Sequence, residues 1–235
     1  MGKTYQIKIC GITNRADLEA VGEAGVDWAG VILEVSSSPR RLGFEEARAL
    51  VRNSPLPVLI LTDRSDFASL SRIGTEISPY GLQLLAEPHP DLIRRLRDAF
   101  PSLAIWQSFH LPPAGSSGAN LSSAALAKMM ACCFRAGAQA AVLDTAVRRG
   151  DVLQRGGTGL QHDWELARLL VAEAPGPVFL AGGINPENVQ AALDLVNPAG
   201  VDLSSGVETF PGKKDPSKIR DLVQRVRNYK RQENL

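Results

Sequence analysis

Residues 178–206 read VFLAGGINPENVQAALDLVNPAGVDLSSG. A short apolar run, Val178–Ala181, gives way to Gly182-Gly183. A helix-period run follows at Pro186–Leu195, and a second apolar run lies at Val201–Ser204. Two strand-like runs separated by a helix predict parallel neighbours joined by a crossover, because a tight turn joins only antiparallel strands. Both runs are short and nearly continuous in apolar residues, as strands covered on both faces require. The helix start is marked as well: Asn185 can cap, and Pro186 suits the first helical position, where its missing N–H costs nothing.

The same unit recurs along the chain. Strands are predicted at Tyr5–Cys10, Trp28–Leu33, Pro57–Leu61, Gly81–Leu85, Leu103–Gln107, Ala140–Asp144, Val178–Ala181 and Val201–Ser204. Helices are predicted at Arg15–Ala24, Phe44–Asn53, Phe67–Gly74, Pro90–Phe100, Ser122–Gly137, His162–Ala174, Pro186–Leu195 and Asp215–Lys230. Asn14 and Asp215-Pro216 are further helix-start signals, and Gly25 and Gly137 stand where helices should stop. Eight strands alternating with eight helices in 235 residues fit an α/β fold of the (β/α)8, or TIM, barrel type, with residues 1–235 as one domain. A doubly wound open sheet is the alternative. It usually has fewer strands and often a Gly-rich first turn, and no G-x-G-x-x-G follows the first strand here.

Composition narrows the function classes. Lys+Arg number 26 and Asp+Glu 25, a net charge of +1. That balance argues against a nucleic-acid binder built on bulk electrostatics. The basic bias at the end, Lys213-Lys214 and Arg225 to Arg231, is interrupted by acids and reads as a solvated helix face. No apolar run is long enough to span a membrane, and the first residues carry no signal-peptide core, so a cytoplasmic location is expected. The three cysteines, Cys10, Cys132 and Cys133, suit no disulfide framework, and Cys132 and Cys133 read as packing residues. The histidines His89, His110 and His162 fall in no ligand spacing, so no metal is expected. The sequence is compatible with a monomer or a homodimer.

In a barrel the chemistry sits at the C-terminal ends of the strands. Those ends carry Lys8-Ile9-Cys10-Gly11, Asp144-Thr145, Gly182-Gly183 and Asp202-Leu203-Ser204-Ser205-Gly206. Glycines in the last two loops, with Gly156-Gly157-Thr158-Gly159 earlier, let backbone N–H groups approach an anion closely, and phosphate is the expected ligand. Gly157, Gly182, Gly183, Ser205 and Gly206 are the candidate phosphate-binding residues. Period-two alternation turns Lys8 and Cys10 inward and Ile7 and Ile9 outward. Cys10 reads as a general base or as a small packed residue. Asp144 ends a buried strand, which raises a carboxyl pKa and suits a general acid, or it is a capping acid. Asp202 is similar. Arg40 is a candidate anion fork or a surface charge. Leu111–Ser123, with its Pro, Gly and Ser, reads as a tolerated surface insertion ahead of a lid.

Taken together, KICGIT at 8–13, SPR at 38–40, LDT at 143–145, GGTG at 156–159, DW at 163–164, AGGINPENV at 181–189 and VDLSSGVE at 201–208 resemble phosphoribosylanthranilate isomerase of tryptophan biosynthesis. The motifs span nearly the whole chain and occur in the family's order. The resemblance implies an Amadori rearrangement of a small phosphorylated substrate without a cofactor. By motif match it implies Cys10 as general base, Asp144 as general acid and Arg40 on the anthranilate carboxylate; Lys8 and Asp202 are further candidate substrate-binding residues. The phosphate would fall to Gly157, Gly183, Ser205 and Gly206. The middle departs from the pattern. The family's Q-L-H-G at strand four stands here as Gln83-Leu84-Leu85-Ala86, and the Lys usual on strand five is missing from Ile105-Trp106-Gln107-Ser108.

Overall fold

A computed structural model describes residues 4–114, 122–149, 152–155 and 163–230, and for 146–149 and 152–155 it describes the backbone alone. Eight parallel strands follow one another as β1 (Gln6–Ile9), β2 (Trp28–Leu33), β3 (Val58–Thr62), β4 (Gly81–Leu84), β5 (Ala104–Leu111), β6 (Ala140–Arg149), β7 (Val178–Leu180) and β8 (Gly200–Leu203). Each pairs with its sequence neighbours, and β8 pairs with β1, so the sheet closes. Eight α-helices alternate with them: α1 (Arg15–Glu23), α2 (Phe44–Arg52), α3 (Phe67–Arg72), α4 (Pro90–Ala99), α5 (Ser123–Arg135), α6 (Trp164–Glu173), α7 (Val189–Val196) and α8 (Pro216–Arg227). This is the expected (β/α)8 barrel.

Helix ends obey local chemistry. The Asn14 side chain accepts the Asp17 N–H, and Asp215 accepts those of Ser217 and Lys218 ahead of Pro216. Gly25 and Gly137 both have left-handed φ (+79° and +110°). Each closes a helix with the paired bonds of a Schellman motif, Val26 N–H to Val21 O and Ala138 N–H to Cys133 O among them. Regular α7 begins only at Val189, three residues later than expected. The capping bonds nonetheless centre on Asn185: its side chain accepts the Asn188 N–H, and the Asn188 side chain accepts the Asn185 N–H. That reciprocal pair is a capping box.

Four local features depart from the sequence reading. Helix α3 ends at Arg72 and runs into a π-type turn, Ile73–Ile77, closed by left-handed Ser78, whose N–H bonds to Ile73 O. The wider turn buries both Ile73 and Ile77. Strand β5 extends to Leu111 beside β6, in register from Trp106 opposite Ala140 to Leu111 opposite Thr145. Strand β6 continues into an antiparallel pairing with Val152–Arg155. Short strands also form at Arg41–Leu42, against β2, and as a hairpin of Glu208–Phe210 with Lys213–Lys214.

The core has two layers. Ile7, Ile9, Leu18, Val31, Ile60 and Leu193 belong to the layer between strands and helices. Inside the barrel, Trp28, Trp106 and Phe179 pack together, with ring centroids 5.4 Å (Trp28–Trp106), 5.6 Å (Trp28–Phe179) and 4.4 Å (Trp106–Phe179) apart. Leu59, Ala104, Ala140, Val142 and Ala181 fill around them. Small residues facing large rings is how a barrel interior reaches close packing. The plug closes the lower barrel, so polar inward residues are confined to the C-terminal mouth.

Cys133 lies in this core (1% exposed), as a packing residue should, and burial pushes its thiol up to about 12. Among the described residues no helix is long and apolar enough to cross a membrane, and no cluster of three or more His, Cys, Asp or Glu residues is placed to hold a metal ion. Most of the 111–123 loop, at 115–121, lies outside the described residues, and so does the Gly156–Gly159 run.

Candidate active site

Alternation on β1 and β8 builds the floor of the site. Lys8 is paired in register with Asp202, so both side chains enter the barrel at one level. Lys8 Nζ donates to Asp202 Oδ2 at 2.7 Å, and both residues are buried. Gly30 on β2 makes room, since a Cβ there would lie 3.1 Å from Lys8 Nζ and 2.9 Å from Leu61. Burial pulls the Lys8 pKa down, but Asp202, Cys10 and Asp144 outweigh it and raise the pKa. A charged Lys8 is a fixed cation rather than an amine nucleophile. The second Asp202 oxygen, Oδ1, and Gln83 Oε1 are buried without a complete hydrogen bond among the described residues. The Gln83 amide Nε2 donates to Ser108 Oγ at 3.0 Å.

One layer above lies Cys10, 7% exposed, its backbone N–H held by Leu203 O at 2.7 Å. Burial pushes its thiol up to about 11; Lys8 and Lys214 pull towards the thiolate, and Asp202 and Asp144 oppose them. Across the mouth stands half-buried Asp144 on β6, on the alternation face of Ala140 and Val142. Its Oδ1 accepts the Thr145 N–H at 2.7 Å. Burial, with Asp202 nearby, pushes this carboxyl up to about 7 against the pull of the Thr145 N–H and Lys8. Cys10, Asp144, Asp202, Arg40 and Gln83 all line one pocket.

The same pocket runs up to the loops after β7 and β8, lined there by Gly182, Gly183, Ser204 and Ser205. Gly182 and Gly183 are both left-handed (φ +76° and +70°), a pair of conformations that side chains resist. Gly206 packs against the β7 loop so closely that a Cβ would lie 2.0 Å from Ile184 O. The Asn188 side chain ties down Gly183 O at 2.9 Å. Ser205 and Gly206 open the short 3₁₀ turn Ser205–Val207, and the first N–H groups of such a turn have no partner within it. Gly157 lies outside the described residues.

Arg40 is buried (4% exposed) rather than a surface charge. Its fork is not empty. Nε and Nη2 grip the Glu208 carboxylate at 2.8 and 2.6 Å, and the residue lines the pocket. Gly11, left-handed at φ +71°, lets the arginine pass, because a Cβ there would lie 2.5 Å from Arg40 Cδ.

The family model for N-(5′-phosphoribosyl)anthranilate (PRA) isomerase matches residues 7–225. The chain belongs to the phosphoribosylanthranilate isomerase family. The N-(5′-phosphoribosyl)anthranilate isomerase of Rhodopseudomonas palustris (strain HaA2) is 35% identical over 224 residues, 94% of this chain and 95% of the relative. That of Methanocella arvoryzae is 30% identical over 224 residues, 94% and 98%. The solved isomerase from Pyrococcus furiosus superposes with a TM-score of 0.79 at 29% identity, covering 96% of this chain and 100% of that one.

Against the phosphoribosylanthranilate isomerase pattern, the altered strand four has a definite consequence. Leu85 joins Ile32, Val35, Leu61 and Cys10 in an apolar wall of the pocket. These wall residues went unnoticed in the sequence because apolar residues at strand ends look like core. Glu208 and Lys214 were missed too. Glu208 stands in the quoted VDLSSGVE run but makes sense only beside Arg40. Lys214 belongs to the basic stretch expected to form a solvated face, yet it is buried. It is 1% exposed, and its Nζ donates to Glu208 Oε1 at 2.8 Å. No local pattern marks a lysine that folds inward from a hairpin.

Proposed function

We propose that the chain catalyses the Amadori rearrangement of N-(5′-phosphoribosyl)anthranilate to 1-(2-carboxyphenylamino)-1-deoxyribulose 5-phosphate, a cytoplasmic step of tryptophan biosynthesis. Family membership supports the reaction. The observation that carries the assignment of roles is that one pocket joins Cys10, Asp144, Arg40 and the β7–β8 glycine loops.

Asp144 acts as general acid. A carboxyl held near pH 7 keeps much of its proton at neutral pH, which an ordinary aspartate does not. It protonates the furanose ring oxygen, the C1′–O bond breaks, and the anilino nitrogen supplies the electron pair of the Schiff base. Cys10, as thiolate, removes the C2′ proton to give the enolamine. Ketonisation moves a proton to C1′ and releases one from the 2′-hydroxyl. Passing the captured proton from Cys10 back to Asp144 through solvent resets the pair. Lys8 stabilises the thiolate state and keeps Asp202 in place for substrate hydroxyls. The N–H groups of Gly183, Ser205 and Gly206 receive the phosphate, with Gly182 shaping the turn and Gly157 assigned to the same ligand by motif. The apolar wall receives the anthranilate ring, and Arg40 its carboxylate. Every step is a proton transfer within this set, so the proposal calls for no cofactor.

The test is direct. Purified protein is mixed with freshly made phosphoribosylanthranilate, and loss of its fluorescence is followed beside Cys10→Ser and Asp144→Asn. Turnover by the wild type that falls by about 100-fold or more in each variant is expected for lost acid–base groups. A folded wild type that leaves the substrate untouched would overturn the proposal and direct attention to another phosphorylated aminoaldose.

A further inference from the structure

We propose that Glu208 is a positioning residue that sets Arg40 for the substrate carboxylate, with Lys214 as its buried counter-cation. The inference rests on the isomerase reading above and goes beyond it, since it assigns a role in substrate recognition to two residues on the hairpin after β8.

Four observations carry it. Glu208 is buried and grips Arg40 at two nitrogens, with Nε to Oε1 at 2.8 Å and Nη2 to Oε2 at 2.6 Å. A two-point contact fixes the plane of a guanidinium as well as its position. Lys214 Nζ donates to Glu208 Oε1, the oxygen that also accepts Arg40 Nε, at 2.8 Å, and to Ser204 O at 3.2 Å. The hairpin itself is bolted down. Buried Asp17 on α1 accepts the Lys214 N–H at 2.8 Å and Lys213 Nζ at 2.6 Å, while the Thr13 hydroxyl donates to Gly212 O at 2.6 Å. Arg40 comes from the loop after β2, and its side chain is hydrogen-bonded only by Glu208 among the described residues. Rigid α1 and β8 thus hold the hairpin, the hairpin holds Glu208, and Glu208 aims Arg40.

Charge explains the need for the lysine. Arg40 and Lys214 against Glu208 leave one net positive charge, which matches one carboxylate. Burial lowers the Lys214 pKa, and Glu208 offsets only part of that fall. Without Glu208 the lysine loses the partner that favours its charged form, and Arg40 loses its aim.

The experiment compares N-(5′-phosphoribosyl)anthranilate with N-(5′-phosphoribosyl)aniline, the same molecule without the carboxylate. Glu208→Gln is expected to raise KM for the anthranilate about 10- to 100-fold, the worth of a charge-assisted contact. Turnover of the aniline compound should change by no more than about threefold, within the scatter of an uninvolved site. In an Arg40→Lys background, Glu208→Gln should add little further loss on the anthranilate, because both changes break one contact. Should Glu208→Gln not fold, Glu208→Asp keeps the charge for Lys214 but draws the carboxylate back from Arg40, and the same KM pattern is expected. A lower KM in Glu208→Gln would mean that Glu208 only tempers charge. Equal losses on both substrates, or full additivity with Arg40→Lys, would mean that it only supports the fold. Either result overturns the positioning role while leaving the isomerase reading intact. A wild type inactive on the anthranilate overturns both.

Discussion

Asp144 concentrates the tension between function and stability in one carboxyl. Burial keeps it protonated up to about pH 7, whereas the unfolded chain releases that proton near pH 3.9. Between those values the native state binds more protons than the unfolded state, so this residue makes stability fall as pH rises. Its contribution is fully present below about pH 4 and lost above about pH 7. Asparagine carries no such penalty. Asp144→Asn should therefore gain stability relative to wild type on going from pH 4 to pH 8, on the order of 2–4 kcal/mol before discounting for partial exposure. Urea melts at the two pH values decide it; a pH-independent difference would show that Asp144 titrates normally. Cys10 differs in kind. Its thiol is neutral both folded and unfolded at neutral pH, so its cost falls on the thiolate that chemistry needs. Both residues were visible in the sequence as reactive groups at strand ends. The raised Asp144 carboxyl follows from its buried strand end, as the sequence suggested; the state of Cys10 was not legible, because it depends on Lys8, Asp202 and Lys214 arriving from other parts of the chain.

At the scale of elements, the loops after β7 and β8 behave as one device. Gly206 sits hard against Ile184 and Asn185, and the Asn185–Asn188 capping box fixes the start of α7 on the other side. A methyl at 206 has no flexible side chain to displace, only backbone. Gly206→Ala should push the two loops apart, cost about 1–3 kcal/mol as overpacking does, and weaken inhibition by inorganic phosphate. Calorimetry with and without phosphate separates the two effects, and an unchanged phosphate affinity would remove Gly206 from the cradle. Element boundaries were legible wherever a cap or a glycine marks them, as at Asn14, Gly25, Gly137 and Asp215. They were not legible at α3, whose π turn is set by the buried pair Ile73 and Ile77. Nor was the β6 extension, whose antiparallel partner comes from a segment with no strand signature of its own.

For the whole molecule, the interior plug decides where a site can exist. Trp28, Trp106 and Phe179 come from β2, β5 and β7 and meet only when the barrel closes. Phe179→Ala removes the ring packed 4.4 Å from Trp106 and should destabilise the fold by about 3–5 kcal/mol. A denaturant midpoint that falls with an unchanged slope is the expected reading; a loss below about 1 kcal/mol would mean that the plug repacks around the gap.

The sequence by itself determined the barrel, its eightfold alternation, the inward face of β1 and the positions of Cys10, Asp144, Asp202 and the glycine loops. These are encoded locally, by apolar period, by capping residues and by what stands at a strand end. Only the tertiary structure decided that Lys8 is spent on Asp202, that Arg40 is held by Glu208, that Lys214 is buried and that Leu85 belongs to the pocket wall. Each joins side chains far apart in the chain: Lys8 and Asp202 are paired by strand register, and Arg40 meets Glu208 across 168 positions. No periodicity spans such distances. Closure of the barrel brings the partners together, and the low dielectric it creates then selects which charges can remain.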